Sequence, residues 1–140
     1  LTPVLVKKQK HMDQSLTFLS GKVILITEDV GFNYRYLEII LGKNQDLNIL
    51  WAKNGLEAVD FCNKNPDIDI VLMDIQLPKM NGLDATRLIK SKHRNLPVIA
   101  QTAYGTASDI EACYNAGCVD VLVKPINKAT LLQSLKKHIT

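Results

Sequence analysis

The amino-acid sequence predicts a doubly wound α/β domain built on a five-stranded parallel sheet. Two observations carry this. Five short apolar runs alternate with five stretches whose apolar residues recur at helical spacing, and residues able to cap or stop a helix stand at the seams. Alternation of that kind yields parallel strands covered by helices on both faces and joined by right-handed crossovers. At 140 residues the chain fits one domain with a single unstapled core.

The elements follow in order. Val23–Thr27 (VILIT) is a continuous β-branched run, as a strand buried on both faces requires, and it ends in Glu28-Asp29. Phe32, Tyr36, Leu37, Ile40 and Leu41 form a helical stripe stopped by Gly42. Asn48–Lys53 (NILWAK) is mixed enough for a sheet edge. Asn54 caps the next helix with Glu57 three residues on, its stripe is Ala58, Phe61 and Cys62, and Asn65-Pro66 ends it. Asp69–Asp74 (DIVLMD) holds the third strand. Pro78 and Gly82 mark a loop, and Ala85, Leu88 and Ile89 mark a helix. Pro97–Ala100 (PVIA) opens the fourth strand, which runs into Gln101-Thr102. Ser108 and Glu111 read as a capping box before Ile110, Cys113 and Tyr114, and Gly117 ends that helix. Val119–Val123 (VDVLV) is the fifth strand. Asn127 caps a last helix with Leu131, Leu132, Leu135 and Ile139 inward. Residues 1–20, with a basic cluster at Lys7, Lys8, Lys10 and His11, read as a linker or the tail of an upstream element, and residues 21–140 as the folded domain.

Composition removes several function classes. A net charge of +3 calls for neither nucleic acid nor an acidic membrane, and no DNA-reading module is visible. No run of about 18 apolar residues is present, so no membrane-spanning helix is expected. The three cysteines (Cys62, Cys113, Cys118) form no CxxC pair and the three histidines are scattered, which argues for reduced thiols in a cytoplasmic protein rather than a zinc site.

In open parallel sheets, ligand sites form beyond the carboxyl ends of the strands, where the strand order reverses. Here those positions hold Glu28 and Asp29, Asp74, Thr102 and Lys124. Any one of them is explained by a turn or a cap; all five at strand ends are not. Three carboxylates against one lysine leave a charge surplus, since two like charges about 4 Å apart cost roughly 4 kcal/mol at an effective dielectric near 20. A divalent cation removes that repulsion, and hard oxygen ligands favour Mg2+, which commonly shares itself with a phosphate. Asp74 is then a candidate nucleophile for a phosphoryl group, with Lys124 and Thr102 contacting its oxygens and a backbone carbonyl near Gln76 completing the metal shell.

The segments VILITEDVGFNYRYLEIIL, DIVLMDIQLPKMNGLDATRLIK, PVIAQTAYG and VDVLVKPI resemble the receiver domains of response regulators, especially those fused to hybrid histidine kinases. The resemblance covers about Lys22 to Ile139. It implies a flavodoxin-like sheet of order 2-1-3-4-5, an acidic pair Glu28 and Asp29 holding Mg2+, Asp74 as phosphorylated aspartate, Thr102 as switch hydroxyl, and Lys124 ahead of a cis-prone Lys124-Pro125 bond. Tyr104 and Gln76, two residues past Thr102 and Asp74, stand where water access to a phosphoaspartate is tuned. Val121 departs from the aromatic that many receivers carry three residues before the lysine; a receiver that only relays its phosphoryl group has no need of that ring. The implied partners are a histidine kinase or a histidine phosphotransfer domain, met through loops around Asp74 and the first helix near Phe32 and Tyr36, with a homodimer possible on the face of the fourth helix, fifth strand and fifth helix. The start at Leu1 and the 20-residue lead-in suit the C-terminal part of a longer, membrane-anchored hybrid kinase.

Three other readings compete. An aspartate-nucleophile phosphatase needs a second Asp two residues after the first, where Gln76 stands and no proton can be transferred. A nucleotide-binding module needs GxGxxG or GxxxxGK[ST], and neither occurs. A pseudo-receiver, keeping the fold only as an interaction surface, would not need the five site residues. The domain would catalyse its own phosphorylation without being a turnover enzyme.

Overall fold

The structure, a computed structural model, describes residues 14–42 and 46–139. The strands are β1 (Val23–Thr27), β2 (Asn48–Ala52), β3 (Ile70–Asp74), β4 (Val98–Thr102) and β5 (Asp120–Val123). The helices are α1 (Gly31–Leu41), α2 (Gly55–Lys64), α3 (Gly82–Lys92), α4 (Ala107–Ala116) and α5 (Lys128–His138). All strand pairs are parallel and the order is β2-β1-β3-β4-β5, so the doubly wound, flavodoxin-like reading holds.

Strand alternation divides the core in two. Ile24, Ile26, Ile70, Leu72, Ile99 and Leu122 face α1 and α5, while Leu25, Val71, Met73, Val98 and Ala100 face α2, α3 and α4. Because both faces are covered, the strands read as unbroken apolar runs rather than alternating ones. The first core also takes Leu16 and Leu19, from a 3-10 helix over Gln14–Leu19. The packed unit therefore starts before residue 21; the rest of the expected linker, including its basic cluster, lies outside the described residues.

Several stripe assignments shift. Phe32 is 83% exposed and Tyr36 46% exposed, so the buried face of α1 is Leu37, Ile40 and Leu41. Leu88 and Tyr114 also face outward, leaving Ala85, Thr86 and Ile89 on α3 and Cys113 and Ala116 on α4. The α4 cap is Thr106, whose Oγ1 accepts from Asp109 N at 3.2 Å, not Ser108 with Glu111. A threonine two residues earlier wins because the chain is already extended there (φ −68°, ψ 156°), which lets its hydroxyl turn back onto the first turn. Asn54 caps α2 as expected, accepting from Glu57 N at 2.9 Å, although the Glu57 carboxylate reaches back to Lys53 N rather than to Asn54.

Two glycines seat the loop that follows β3. A Cβ on Gly82 would fall on the Asp74 carbonyl oxygen, and one on Gly55 would fall on the carbonyl of Met80. The first turns of α3 and α2 thus lie directly against the backbone on either side of Gln76. Gly55→Ala is expected to lower stability by about 1–3 kcal/mol, read as a drop in the urea unfolding midpoint. At an uncrowded first-turn position, alanine would stabilise the helix instead, so the sign of the change tests the contact.

Candidate functional site

β1 continues through α1 to β2 on one side, while β3, its neighbour on the other side, continues through α3 to β4, so the crossovers leave the adjacent carboxyl ends of β1 and β3 in opposite directions. The register Thr27↔Met73 brings Glu28 opposite Asp74 one step further on. Both side chains are buried, at 1% and 2% exposure, whereas Asp29 is exposed. Glu28, Asp29 and Asp74 each offer a carboxylate oxygen within 4.8 Å of the others.

Lys124 stands across from them. Its backbone N–H donates to the Thr102 carbonyl at 2.7 Å, continuing the β4–β5 ladder past Val123, and the Lys124-Pro125 bond is cis. Its Nζ donates to Asp74 Oδ2 at 3.0 Å and lies 3.5 Å from Glu28 Oε1. Burial works against the ammonium, but the hydrogen bond and charge of Asp74, aided by Glu28, hold it above the usual lysine range. Glu28 moves the opposite way to an ordinary paired acid: burial raises its carboxyl, the charge of Asp74 adds to this, and the Val30 N–H (3.1 Å) and Lys124 only partly offset it. Glu28 Oε1 is buried with no hydrogen-bond partner among the described residues.

That oxygen, without a hydrogen bond and beside two further carboxylates, belongs to a donor set a hard divalent ion fits, and it is oxygen throughout. Asp74 Oδ1 accepts from Gln76 N at 3.1 Å, which ties the phosphoacceptor candidate to its own loop. Thr102 is 1% exposed; its Oγ1 accepts from Tyr104 N at 3.1 Å and from Gln76 Nε2 at 3.4 Å. Tyr104 is 58% exposed, and Val121 packs half-buried in the second core, paired with Ala100. All five strand-end residues of the sequence reading therefore meet at one edge.

The structure adds Gln101 and Trp51, which sequence reasoning passed over as site residues, and gives Gln76 and Tyr36, named there for other roles, side-chain contacts it did not foresee. The Gln76 side chain bridges two loops, with Oε1 accepting from Ala103 N at 3.4 Å. Gln101, in register with Asp74, is buried and its Nε2 has no acceptor among the described residues. Trp51 Nε1 donates to the Glu28 carbonyl at 2.8 Å, and Tyr36 Oη donates to the Ile126 carbonyl at 2.7 Å. A polar residue at the end of an apolar run was the available signal for Gln101; nothing local marks the contacts of the other three. The cysteines are free and buried, with Cys62 and Cys118 pushed up to about 11 and about 12 by burial, so none is a nucleophile near neutrality. Among the described residues no helix is long and apolar enough to cross a membrane.

A flavodoxin-like sheet whose switch point gathers three carboxylates around one lysine defines a class of α/β domains with an acidic cleft at the strand ends. Within it, this chain belongs to the response regulator receiver domain family, which it matches over residues 24–136. It is 32% identical over 120 residues to the polar-differentiation response regulator DivK of Brucella anthropi, covering 84% of this chain and 96% of that one. It is also similar to the receiver domain of sensor histidine kinase PA1611 from Pseudomonas aeruginosa, solved with a magnesium ion in its active-site cleft. There the identity is 33%, the TM-score 0.77, and the coverage 85% of this chain and 98% of that one. CheY in the CheX-CheY-BeF3-Mg complex of Borrelia burgdorferi is 28% identical, with a TM-score of 0.77 over 86% and 92% of the two chains.

The raised Glu28 has a consequence for stability. A group whose folded-state pKa exceeds its unfolded value contributes favourably below the unfolded pKa and loses that contribution as pH rises through the folded one. Ionised Glu28 therefore weakens the fold at neutral pH. Glu28→Gln is expected to raise the melting temperature at pH 7 without divalent metal, with the gain shrinking as pH falls through the raised folded-state pKa of Glu28 and levelling off below about 4.3, where the carboxyl is neutral in both folded and unfolded chains. No gain at pH 7 would contradict the assignment.

Proposed function

We propose that this domain accepts a phosphoryl group from a phosphohistidine onto Asp74, with Mg2+ bound at Glu28, Asp29, Asp74 and the Gln76 backbone carbonyl. The observation that carries this is the buried Glu28–Asp74 pair with Lys124 Nζ 3.0 Å from Asp74 and a Glu28 oxygen left without a hydrogen bond. One Asp74 oxygen forms the new O–P bond as the P–N bond of the donor breaks, and the electron pair leaves with the imidazole. Lys124 neutralises charge as the phosphoryl group arrives, and the Thr102 hydroxyl, released from the Tyr104 N–H, donates to a phosphoryl oxygen. Mg2+ supplies charge neutralisation at the transferring oxygens when bound. Tyr104 and Gln76 screen the phosphoaspartate from water, and Val121 leaves the domain without an aromatic relay, which suits onward transfer to another histidine, as in a cytoplasmic hybrid-kinase receiver.

The donor's approach is read from α1. Phe32 and Tyr36 border a groove of about 440 Å³ that runs past Leu37 to Lys124, Pro125 and Ile126, beside the site. An apolar rim next to a charged centre suits a helical domain that presents a phosphohistidine. A homodimer would use the face of α4, β5 and α5, where Tyr114 and Val123 are exposed.

Incubation with acetyl phosphate should add one phosphoryl group, seen by intact mass, only when Mg2+ is present and not in Asp74→Asn. No addition to folded wild type, together with no saturable response to beryllofluoride, would favour the pseudo-receiver. Phe32→Ser is expected to slow transfer from a phosphorylated histidine domain roughly ten-fold or more, the scale of a lost interface anchor, while the acetyl phosphate rate stays unchanged; equal effects on both would remove Phe32 from the docking face.

A further inference from the structure

Trp51 is the single tryptophan of the chain. It lies on the edge strand β2, opposite Ile26. Its ring stacks on Tyr34 with centroids 4.0 Å apart and planes 5° from parallel, and Lys53 Nζ sits 5.0 Å from it. Stacking alone would cover an aromatic at a sheet edge. The indole does more: it reaches beyond its own strand pairing to donate to the Glu28 carbonyl at 2.8 Å.

The segment it reaches lacks the usual support. The other four α-helices start at an Asn or Thr whose side chain caps the first turn, but α1 follows Val30, which has no capping group. In its place the Glu28 carboxylate accepts the Val30 N–H, and β2 holds the Glu28 main chain at both ends, through N–H to the Ala52 carbonyl at 2.9 Å and through the carbonyl to Trp51. The peptide between residues 28 and 29 is planar, so fixing the Glu28 carbonyl fixes that plane. The plane sets the two torsions that orient the Glu28 and Asp29 side chains relative to each other.

We propose that Trp51 is a positioning residue for the metal site, its indole N–H holding the Glu28–Asp29 peptide so that both carboxylates converge with Asp74. The proposal rests on reading this edge as a divalent-cation site. The test is Mg2+ titration by calorimetry on wild type, on Trp51→Phe, and on protein carrying benzothienylalanine at position 51, which keeps the ring and its stack but replaces the N–H with sulfur. Both altered proteins should bind Mg2+ roughly three- to ten-fold more weakly, the worth of one neutral hydrogen bond. Wild-type affinity in the benzothienylalanine protein would overturn the proposal, whatever Trp51→Phe does, because an indole acting only through packing would lower the unfolding midpoint without moving Mg2+ affinity. Wild type that fails to bind Mg2+ would overturn the metal reading and this proposal with it.

Discussion

The Glu28–Asp74 juxtaposition is the constraint around which the rest of this molecule is arranged. Two carboxylates are buried at adjacent strand ends, and a single lysine side chain reaches them both. Burying like charges is unfavourable unless something compensates, and Lys124 compensates for only part of it, as the raised Glu28 carboxyl records. A fold that retains such a pair stores a standing demand for positive charge at that edge. The phosphoryl chemistry proposed here uses that demand: a divalent ion answers it, and the group that ion brings meets Asp74.

The surrounding structure keeps the demand local. Gly82 and Gly55 let α3 and α2 lie against the carbonyls on either side of the Asp74 loop. Gln76 joins that loop to the one after β4, and Tyr36 joins α1 to the chain just past Lys124. The two ring donors, Tyr36 and Trp51, act on the site from outside, one on the loop that follows the lysine and one on the acidic segment. Each of these links is one or two modest hydrogen bonds. Together they hold four separate loops in one geometry, which a site of five residues from four strands requires.

Much of this was legible in the residues. The strand runs, the Asn54 and Asn127 caps, the Gly42 and Gly117 stops and the five strand-end site residues all sit where local pattern placed them. The misread positions share a cause. Phe32, Tyr36, Leu88 and Tyr114 are apolar or aromatic at helical spacing, yet they face outward, because spacing defines a stripe without fixing which side of a wide stripe meets the sheet. The α4 cap was misassigned because Thr106 and Ser108 are equivalent as sequence, and only the extended backbone at Thr106 chooses between them. Leu16 and Leu19 looked like linker because two residues of a 3-10 turn show no period.

The sequence by itself determined the class of fold and which residues stand at the carboxyl ends of the strands. Both depend on short-range facts: strands buried on two faces must be continuously apolar, and ligand groups must follow them at the carboxyl ends. Tertiary structure alone decided how those residues interact. Whether Lys124 reaches both acids, whether Gln76 bridges to Thr102, and whether Trp51 touches Glu28 depend on distances between segments far apart in the chain. Those distances are set by crossover packing and register, and they leave no periodic trace in the residues themselves.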